Sequence, residues 1–356
     1  MIFLTQSPSF DERVNEQFSA ATSWFTDTIF AEIPINETIG VPWVLVVLIL
    51  GASYFTIYFK GVNVRGFLTA IKVVRGNYDV LEDDAVVVSN SVLNVDGDNP
   101  DTIRVEGDGE VSHFQALTAA VSATVGLGNI AGVAIALSIG GAGATFWMIL
   151  IGFLGMASKF VECTLGVKYR EVNEEGVIFC GPMYYLKKGL KELGIPKVGK
   201  FLTIVFAIMC IGGSFGGGNM FQVNQAFKLF EYVTGAESSF IHEQGWLFGL
   251  IMAILVGIVI IGGIKKTANV TDKVVPFMVI IYLLAVLTIL GLNFHEIPSA
   301  FKAIWDGAFN PQGVTGGFVG VVIQGFKRAA FSNEAGIGSS SIAHSAVKQN
   351  TQLVRG

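Results

Sequence analysis

The sequence predicts an all-α membrane protein in which discontinuous helices belong to two inverted repeats. Composition gives the first indication, because the 356-residue chain is 52% hydrophobic and only 14% charged, with a mean hydropathy of +0.59. Soluble domains rarely have such values. Apolar runs of roughly 20 residues, the length that crosses a bilayer, give the second. The third is a pair of glycine-containing polar segments that interrupt otherwise apolar stretches.

Seven stretches are candidate spans. The last begins near Gly307 and contains polar interruptions, whereas the other six are free of charge. These six cover residues 41–59, 116–139, 140–158, 201–227, 245–264 and 274–294. Each is long enough to cross the hydrocarbon core as a helix.

Lysine and arginine residues set the expected orientation, because positively charged loops stay in the cytoplasm. The loops after the first, third and fifth spans hold 15 such residues, counting in the first loop only the four close to the membrane, against 3 on the opposite side. We therefore expect a multi-pass protein of the cell inner (plasma) membrane with its N-terminus outside. The net charge of −5 comes from acidic residues gathered in loops, so the expected partners include the lipid bilayer and exclude nucleic acid.

The first interruption is the segment Thr124-Val125-Gly126-Leu127-Gly128-Asn129 inside the second span. In lipid every backbone N–H and C=O needs a partner, so an unwound segment persists only where protein, substrate, ion or water satisfies it. The segment is therefore interpreted as half of a transport site.

A second interruption has a similar pattern, since Gly336-x-Gly338-Ser339 echoes Gly126-x-Gly128-Asn129. By the predicted topology the two interrupted helices run in opposite directions, as in inverted-repeat transporters, whose broken helices form a midplane site. The expected segments are an external N-terminal segment (1–40), an extra transmembrane helix (41–59), a cytoplasmic loop with an acidic insertion (60–112), a first five-helix repeat (113–294) and the start of a second (307–356). Four C-terminal helices of that second repeat are absent, so a fragment is expected.

Several stretches together resemble the alanine or glycine:cation symporters (sodium:alanine symporters), within the amino acid–polyamine–organocation superfamily. The resemblance covers most of the chain from about Gly61 onward. It rests on Val64-Arg65-Gly66-Phe67, Ser112-His113-Phe114-Gln115-Ala116-Leu117-Thr118-Ala119-Ala120, residues 124–133, Lys159-Phe160-Val161-Glu162, Gly181-Pro182-Met183-Tyr184-Tyr185 and Phe331-Ser332-Asn333-Glu334-Ala335-Gly336. The chain departs from the pattern at Ile149, where the family usually has Trp, and its insertion at 77–110 is longer than in many members.

The resemblance implies a leucine-transporter-like fold with one extra N-terminal helix, and sodium-driven uptake of small neutral amino acids such as alanine or glycine. The residue chemistry agrees, because N–H groups at a half-helix N-terminus stabilise a carboxylate. Glycines there leave the backbone open to the ligand. The candidate substrate-binding residues are Thr124, Gly126, Gly128, Asn129, Asn219 and Gln222. For the last two, bonding across helices remains an alternative to lining a pathway.

Sodium is the expected coupling ion, and no other cofactor is expected. A hard cation takes oxygen ligands, so the candidates are the carbonyls of Ala123 and Thr124 with the side chains of Asn129 or Ser332. The sequence leaves proton coupling open.

Charged residues near the second interruption form a third group of candidates, because a charge at membrane depth is costly and usually functional. Lys327, Arg328 and Glu334 are assigned to a gate or cation pathway, with a structural ion pair or snorkelling as the alternative. Lys159 and Glu162, three residues apart at a helix end, are predicted to form a structural pair.

Two other function classes require different features. An intramembrane enzyme needs an activated nucleophile, paired carboxylates or metal ligands at membrane depth, and the four histidines and three cysteines are too scattered to supply them. The protein is therefore not expected to be an enzyme. A channel or a non-transporting amino-acid sensor could use the same pocket, and only uphill, sodium-dependent accumulation separates a symporter from these.

Overall fold

The computed structural model describes residues 10–34, 40–74, 113–124, 126–173, 178–242, 244–310 and 317–346. The acidic insertion predicted at 77–110 lies outside these ranges. The chain divides into two compact units, Met1–Val47 with Cys210–Ile261 and Leu48–Met209 with Gly262–Gly356. The interrupted helices belong to the second unit.

Most of this part of the chain is helical. In chain order the α-helices are α1 (Phe10–Ile29), α2 (Trp43–Tyr58), α3 (Val62–Arg65), α4 (Phe67–Val74), α5 (His113–Thr124), α6 (Leu127–Gly140), α7 (Gly143–Lys168), α8 (Pro182–Glu192), α9 (Pro196–Gly213), α10 (Phe221–Val233), α11 (Gly245–Ile260), α12 (Gly263–Leu292), α13 (Ile297–Phe309), α14 (Gly317–Asn333) and α15 (Ser339–Ser345). Short antiparallel pairs join β1 (Glu32–Pro34) to β2 (Gly40–Pro42) and β3 (Glu171–Val172) to β4 (Ile178–Phe179).

Four helical stretches in the described ranges are long and apolar enough to cross a membrane, and two shorter apolar helices accompany them. The long ones are Gln115–Gly140, Gly143–Lys168, Pro196–Val233 and Lys265–Leu292, and the shorter ones are Trp43–Tyr58 and Gly245–Ile260. These six stretches overlap the six charge-free runs of the sequence. The prediction of an all-α membrane protein is therefore confirmed, while the inverted repeat stays a prediction.

The surface of α12 shows why these helices belong in lipid. Only 6% of its most apolar stretch is buried within the protein, and Phe277, Leu284 and Leu292 are more than half exposed. Such a continuous apolar surface is not stable in water and indicates contact with a membrane or another protein.

In the first unit, α1 precedes the β1–β2 hairpin, and the sequence had not predicted a helix there. Trp43, the first residue of α2, ties these elements together: its backbone N–H donates to the carbonyl of Ala31 at 3.1 Å, and its indole N–H donates to the carbonyl of Thr28 at 3.0 Å. A π-helical segment, Ser214–Met220, leads into α10.

The second unit is organised around α7, which packs against α6, α13, α14 and α15. On the face of α7 that packs against them, most of the buried residues are small, and they lie three, four or seven residues apart, as residues of one helix face do. Its buried members include Ala144, Ile151, Gly155, Ser158, Glu162 and Gly166. Small residues allow helix backbones to approach closely in a membrane.

The helix that precedes the first interruption, α5, is held by another helix of this unit. Helix α12 packs against α5, and the side-chain amide of Gln115 on α5 donates to Oδ1 of Asn269 at 2.9 Å and to Oδ2 of Asp272 at 3.1 Å. Between α6 and α7 the chain turns tightly at Gly141, whose φ of 67° is readily adopted by glycine. The turn at Gly141 therefore defines where α6 ends.

Candidate functional site

The first interruption separates α5 from α6. Helix α5 ends at Thr124, and α6 begins at Leu127 after an extended residue, Gly126, with φ −121° and ψ −152°. The N–H of Asn129 donates to the carbonyl of Gly126 at 3.1 Å. Because the N-cap residue is a glycine, it has no side chain with which to cap the first turn of α6. The N-terminal N–H groups of α6 can therefore bind an anion.

The second interruption joins α14 to α15 through a loop with three left-handed residues. These are Glu334 (φ 51°), Gly336 (φ 89°) and Gly338 (φ 88°). Within the loop the N–H of Ala335 donates to Oδ1 of Asn333 at 2.9 Å, and the N–H of Ile337 donates to the carbonyl of Glu334 at 3.4 Å. The asparagine side chain thus supports the turn that ends α14.

The two interrupted helices meet where α6 begins and α14 ends. The hydroxyl of Ser332 donates a hydrogen bond to Oδ1 of Asn129. A Cβ atom on the buried Gly128 would lie 2.9 Å from Cα of Ser332, so only glycine permits this approach. Ser332 is 6% exposed. Three residues that the sequence assigned to substrate or cation binding are therefore in contact across the two helices.

A cavity of about 220 Å³ adjoins this contact and is lined by residues of α6, α7 and α14. Its polar lining includes Asn129, Ser332 and Asn333, and its apolar lining includes Val133, Met148 and Ala329. This volume is below the roughly 300–1,000 Å³ of sites for drug-sized ligands. The cavity can hold a small molecule with a polar end and a short apolar end.

The remaining residues predicted to bind substrate or cation lie in several places. Ala123 and Thr124 are the last two residues of α5, directly before the first interruption. Asn219 and Gln222 belong to the other compact unit. The side-chain amide of Asn219 donates to the carbonyl of Ser214 at 2.8 Å, which satisfies a backbone acceptor of its own π-helical segment.

The three charged candidates are close in sequence to the helix contact. Lys327 and Arg328 lie on α14, and Nε of Arg328 is buried without a hydrogen-bond partner among the described residues. Glu334 opens the second interruption, and its carboxylate accepts a hydrogen bond from the Ser339 hydroxyl at 2.8 Å. That bond links the two ends of the loop.

Sequence reasoning missed the part played by two residues. Asn333, which the sequence marked only as part of a family motif, both supports the turn and lines the cavity. Glu162, predicted to pair with Lys159, forms no ion pair with it within 4 Å, although the two charges act on each other. It is 8% exposed and lies instead near the second interruption. The three-residue spacing thus identified a charge that acts on Glu162 from its own helix, but it could not show what the neighbouring helix offers.

Comparison with known proteins points to one family. The profile described as the sodium:alanine symporter family matches residues 24–356. The sodium/alanine symporter AgcS of Methanococcus maripaludis is 45% identical over 242 residues, which is 68% of this chain and 51% of that protein. The amino-acid carrier protein AlsT of Bacillus subtilis is 32% identical over 313 residues, which is 86% of this chain and 58% of that protein.

The chain thus spans about half the length of the curated relatives it matches. The family is one of transporters, not of enzymes, in keeping with a multi-pass protein that has several apolar helices and two interrupted ones meeting beside a small cavity. On this evidence the chain belongs to the sodium:alanine symporter family.

Proposed function

We propose that the natural protein carrying this sequence couples the inward movement of sodium to the uptake of a small neutral amino acid, alanine or glycine, by alternating access. It would do so in the inner membrane with its N-terminus outside. The observation that carries the proposal is the hydrogen bond between Asn129 and Ser332, which joins the two interrupted helices beside the cavity. Family membership supports the reaction class.

The substrate's two ends match two parts of the site. Its carboxylate binds the uncapped N–H groups at the start of α6, where the helix dipole favours negative charge. The methyl group of alanine, or the hydrogen of glycine, faces the apolar lining formed by Val133, Met148 and Ala329. Larger side chains are rejected because the cavity has little room for them.

Sodium binds to the oxygen atoms at the same helix contact. Oδ1 of Asn129 and Oγ of Ser332 are neutral oxygen ligands of the kind that hard cations take, and the carbonyls of Ala123 and Thr124 are close in sequence. When sodium binds Oδ1 of Asn129, the hydroxyl of Ser332 rotates about its C–O bond, so that its proton, still on Oγ, points away and a lone pair of Oγ faces the ion.

Sodium and substrate therefore act on the same pair of helices. A ligand shifts a conformational equilibrium only by its difference in affinity between the two states. Coupling follows if both ligands bind best when α6 and α14 are held together at Gly128 and Ser332. Alternating access would then be a movement of these helices that opens the site to one side at a time.

The test is uptake of labelled alanine and glycine into proteoliposomes that contain the natural full-length protein, with and without an inward sodium gradient. We expect uphill uptake only with sodium. Gly128→Ala should abolish it, because the added Cβ would lie 2.9 Å from a backbone atom of Ser332. Gly257→Ala is the matched control, since no atom of the described residues lies within 4 Å of a Cβ there. Saturable binding without accumulation under any cation gradient would overturn the proposal and favour a sensor.

A further inference from the structure

One face of α7 lies directly against the second interruption and α15. A Cβ on Gly155 would lie 2.9 Å from Cβ of Ala335 and 2.9 Å from Nδ2 of Asn333. A Cβ on Gly166, eleven residues later, would lie 2.9 Å from Cβ of Ser341. The α7 backbone is therefore packed closely against the chain both before and after the loop.

Glu162 lies between these two glycines on the same face. It is 8% exposed, and neither of its carboxylate oxygens has a hydrogen-bond partner in the described part of the chain. The backbone of Gly336 and Gly338 lies close enough to act electrostatically on this carboxylate, although it forms no hydrogen bond with it. The intervening N–H of Ile337 is instead bonded within the loop, to the carbonyl of Glu334.

Backbone N–H groups that point to one side of a loop form a concave site for an anion. Gly336 (φ 89°) and Gly338 (φ 88°) both adopt the left-handed conformation from which such sites are built. A buried carboxylate, for its part, is costly unless it is paired or hydrogen-bonded. The anion-binding loop and the buried anion are thus complementary.

Two other charges act on Glu162 from nearby. These are the ammonium group of Lys159 on the same helix and the carboxylate of Glu334 in the loop. Neither Lys159 nor Glu334 provides a hydrogen bond to Glu162. The glycine N–H groups likewise form no hydrogen bond with it in the structure, but they belong to the loop that lies beside its carboxylate and are donors suited to an anion.

We infer that Glu162 is the internal anion of the second interruption, a positioning residue whose carboxylate binds the N–H groups of Gly336 and Gly338. It fixes the loop that begins at Glu334, and through it the end of α14 with Ser332. Because the carboxylate of Glu162 occupies the second interruption, the carboxylate of a free amino acid binds the N–H groups at the start of α6 instead. Only this last consequence rests on the proposed function.

Hydrogen–deuterium exchange of the intact protein in nanodiscs tests the inference without reference to transport. In Glu162→Gln, which keeps the shape and removes the charge, amides of residues 334–339 should exchange about tenfold faster, because a hydrogen bond to a charged group is lost. Exchange in α12 should not change. Glu171→Gln, the same substitution in an exposed ion pair with Lys188 at 2.9 Å, is the control and should leave residues 334–339 unaffected.

Unchanged exchange of residues 334–339 in Glu162→Gln would overturn the inference. Glu162→Asp keeps the charge and should retain most of the protection; if it loses as much as Glu162→Gln, packing rather than charge is responsible and the inference fails. Should Glu162→Gln not fold, the pair Glu162→Asp and Glu162→Asn repeats the comparison with a smaller side chain.

Transport assays add a second readout. The sodium concentration for half-maximal uptake should rise about tenfold in Glu162→Gln and much less in Glu162→Asp, because the charge that positions Ser332 is lost only in the first. A wild-type protein that does not transport would contradict the proposed function alone. The exchange measurement would still decide whether Glu162 binds the loop.

Discussion

The hydroxyl of Ser332 donates a hydrogen bond to Oδ1 of Asn129 across 203 residues of sequence. The bond joins the first turn of α6 to the last turn of α14. Gly128, which has no side chain beyond a hydrogen atom, allows the two helices to approach at this point. Any ligand that changes the partners of one of these two side chains must therefore act on the other. This is the simplest physical route by which an ion bound at one helix can influence the other.

Substitution of Ser332 by alanine should weaken sodium activation. The change removes one oxygen ligand and leaves Asn129 without its hydroxyl partner, a loss of about 1.4 kcal/mol or a tenfold change in affinity. We therefore expect the sodium concentration for half-maximal alanine uptake to rise about tenfold. The measurement is initial uptake rate against sodium concentration at saturating alanine.

Ser138→Ala provides the matched control for that experiment. Ser138 lies on α6, as Asn129 does, but it is exposed and its hydroxyl bonds to the carbonyl of Ile135 in its own helix. This variant should keep wild-type sodium dependence. If both serine variants shift the sodium curve equally, the hydroxyl of Ser332 has no special part in sodium binding.

Two substitutions of Asn333 distinguish its role in the turn from its role in lining the cavity. Alanine removes the acceptor for the Ala335 N–H, bonded at 2.9 Å, whereas aspartate retains an acceptor and replaces the NH2 group with a second oxygen. Loss of such a turn-supporting bond costs about 1 kcal/mol. We expect Asn333→Ala to lower the thermal unfolding midpoint by several degrees and Asn333→Asp to lower it less. Equal midpoints in the two variants would show that the acceptor does not hold the turn.

Gly152 tests whether the cavity determines substrate size. It lines the cavity, and no atom of the described residues lies within 4 Å of a Cβ built on it, so Gly152→Ala places a methyl group in open space. One methyl group in a pocket changes discrimination by about tenfold. The KM for alanine should therefore rise about tenfold relative to the KM for glycine. An unchanged ratio of the two KM values, measured by competitive uptake, would place the substrate elsewhere.

Both interruptions could be found in the sequence because polar and glycine residues stand out in an apolar helix. The segment 124–129 was recognised in this way, and Gly336-x-Gly338-Ser339 was recognised by its likeness to it. The first interruption contains Asn129, whereas Ser332 was a candidate oxygen ligand for sodium, and the structure brings the two into contact. What made the interruptions recognisable was the high cost of an unsatisfied backbone group in lipid.

Other features could not be obtained from the sequence, because they depend on what lies across a helix interface. Spacing predicts that Glu162 pairs with Lys159 on the same helix, but it does not reveal that Glu162 also lies beside the loop that holds Gly336 and Gly338. Asn219 resembled a pathway residue, yet its amide bonds to its own π-helical segment. Local spacing identifies neighbours along a helix and not partners in another element.

Gly166→Ala should destabilise the packing of α7 on α15. The added Cβ would lie 2.9 Å from Cβ and 3.0 Å from the carbonyl oxygen of Ser341, and would also meet Oγ of Ser345. Backbone atoms cannot rotate away, and overpacking of this kind costs about 1–3 kcal/mol. We expect the midpoint of thermal unfolding in detergent to fall by several degrees.

Gly152→Ala is the control for stability as well, because it adds the same methyl group to the same helix where there is open space. Alanine also has the higher helix propensity, so this variant should be at least as stable as the wild type. The difference in the midpoint of thermal unfolding between Gly166→Ala and Gly152→Ala thus measures how much an added Cβ disturbs the packing of α7 on α15. Equal midpoints for the two would mean that α15 does not press against Gly166, and the contact of α7 with the second interrupted helix would have to be abandoned.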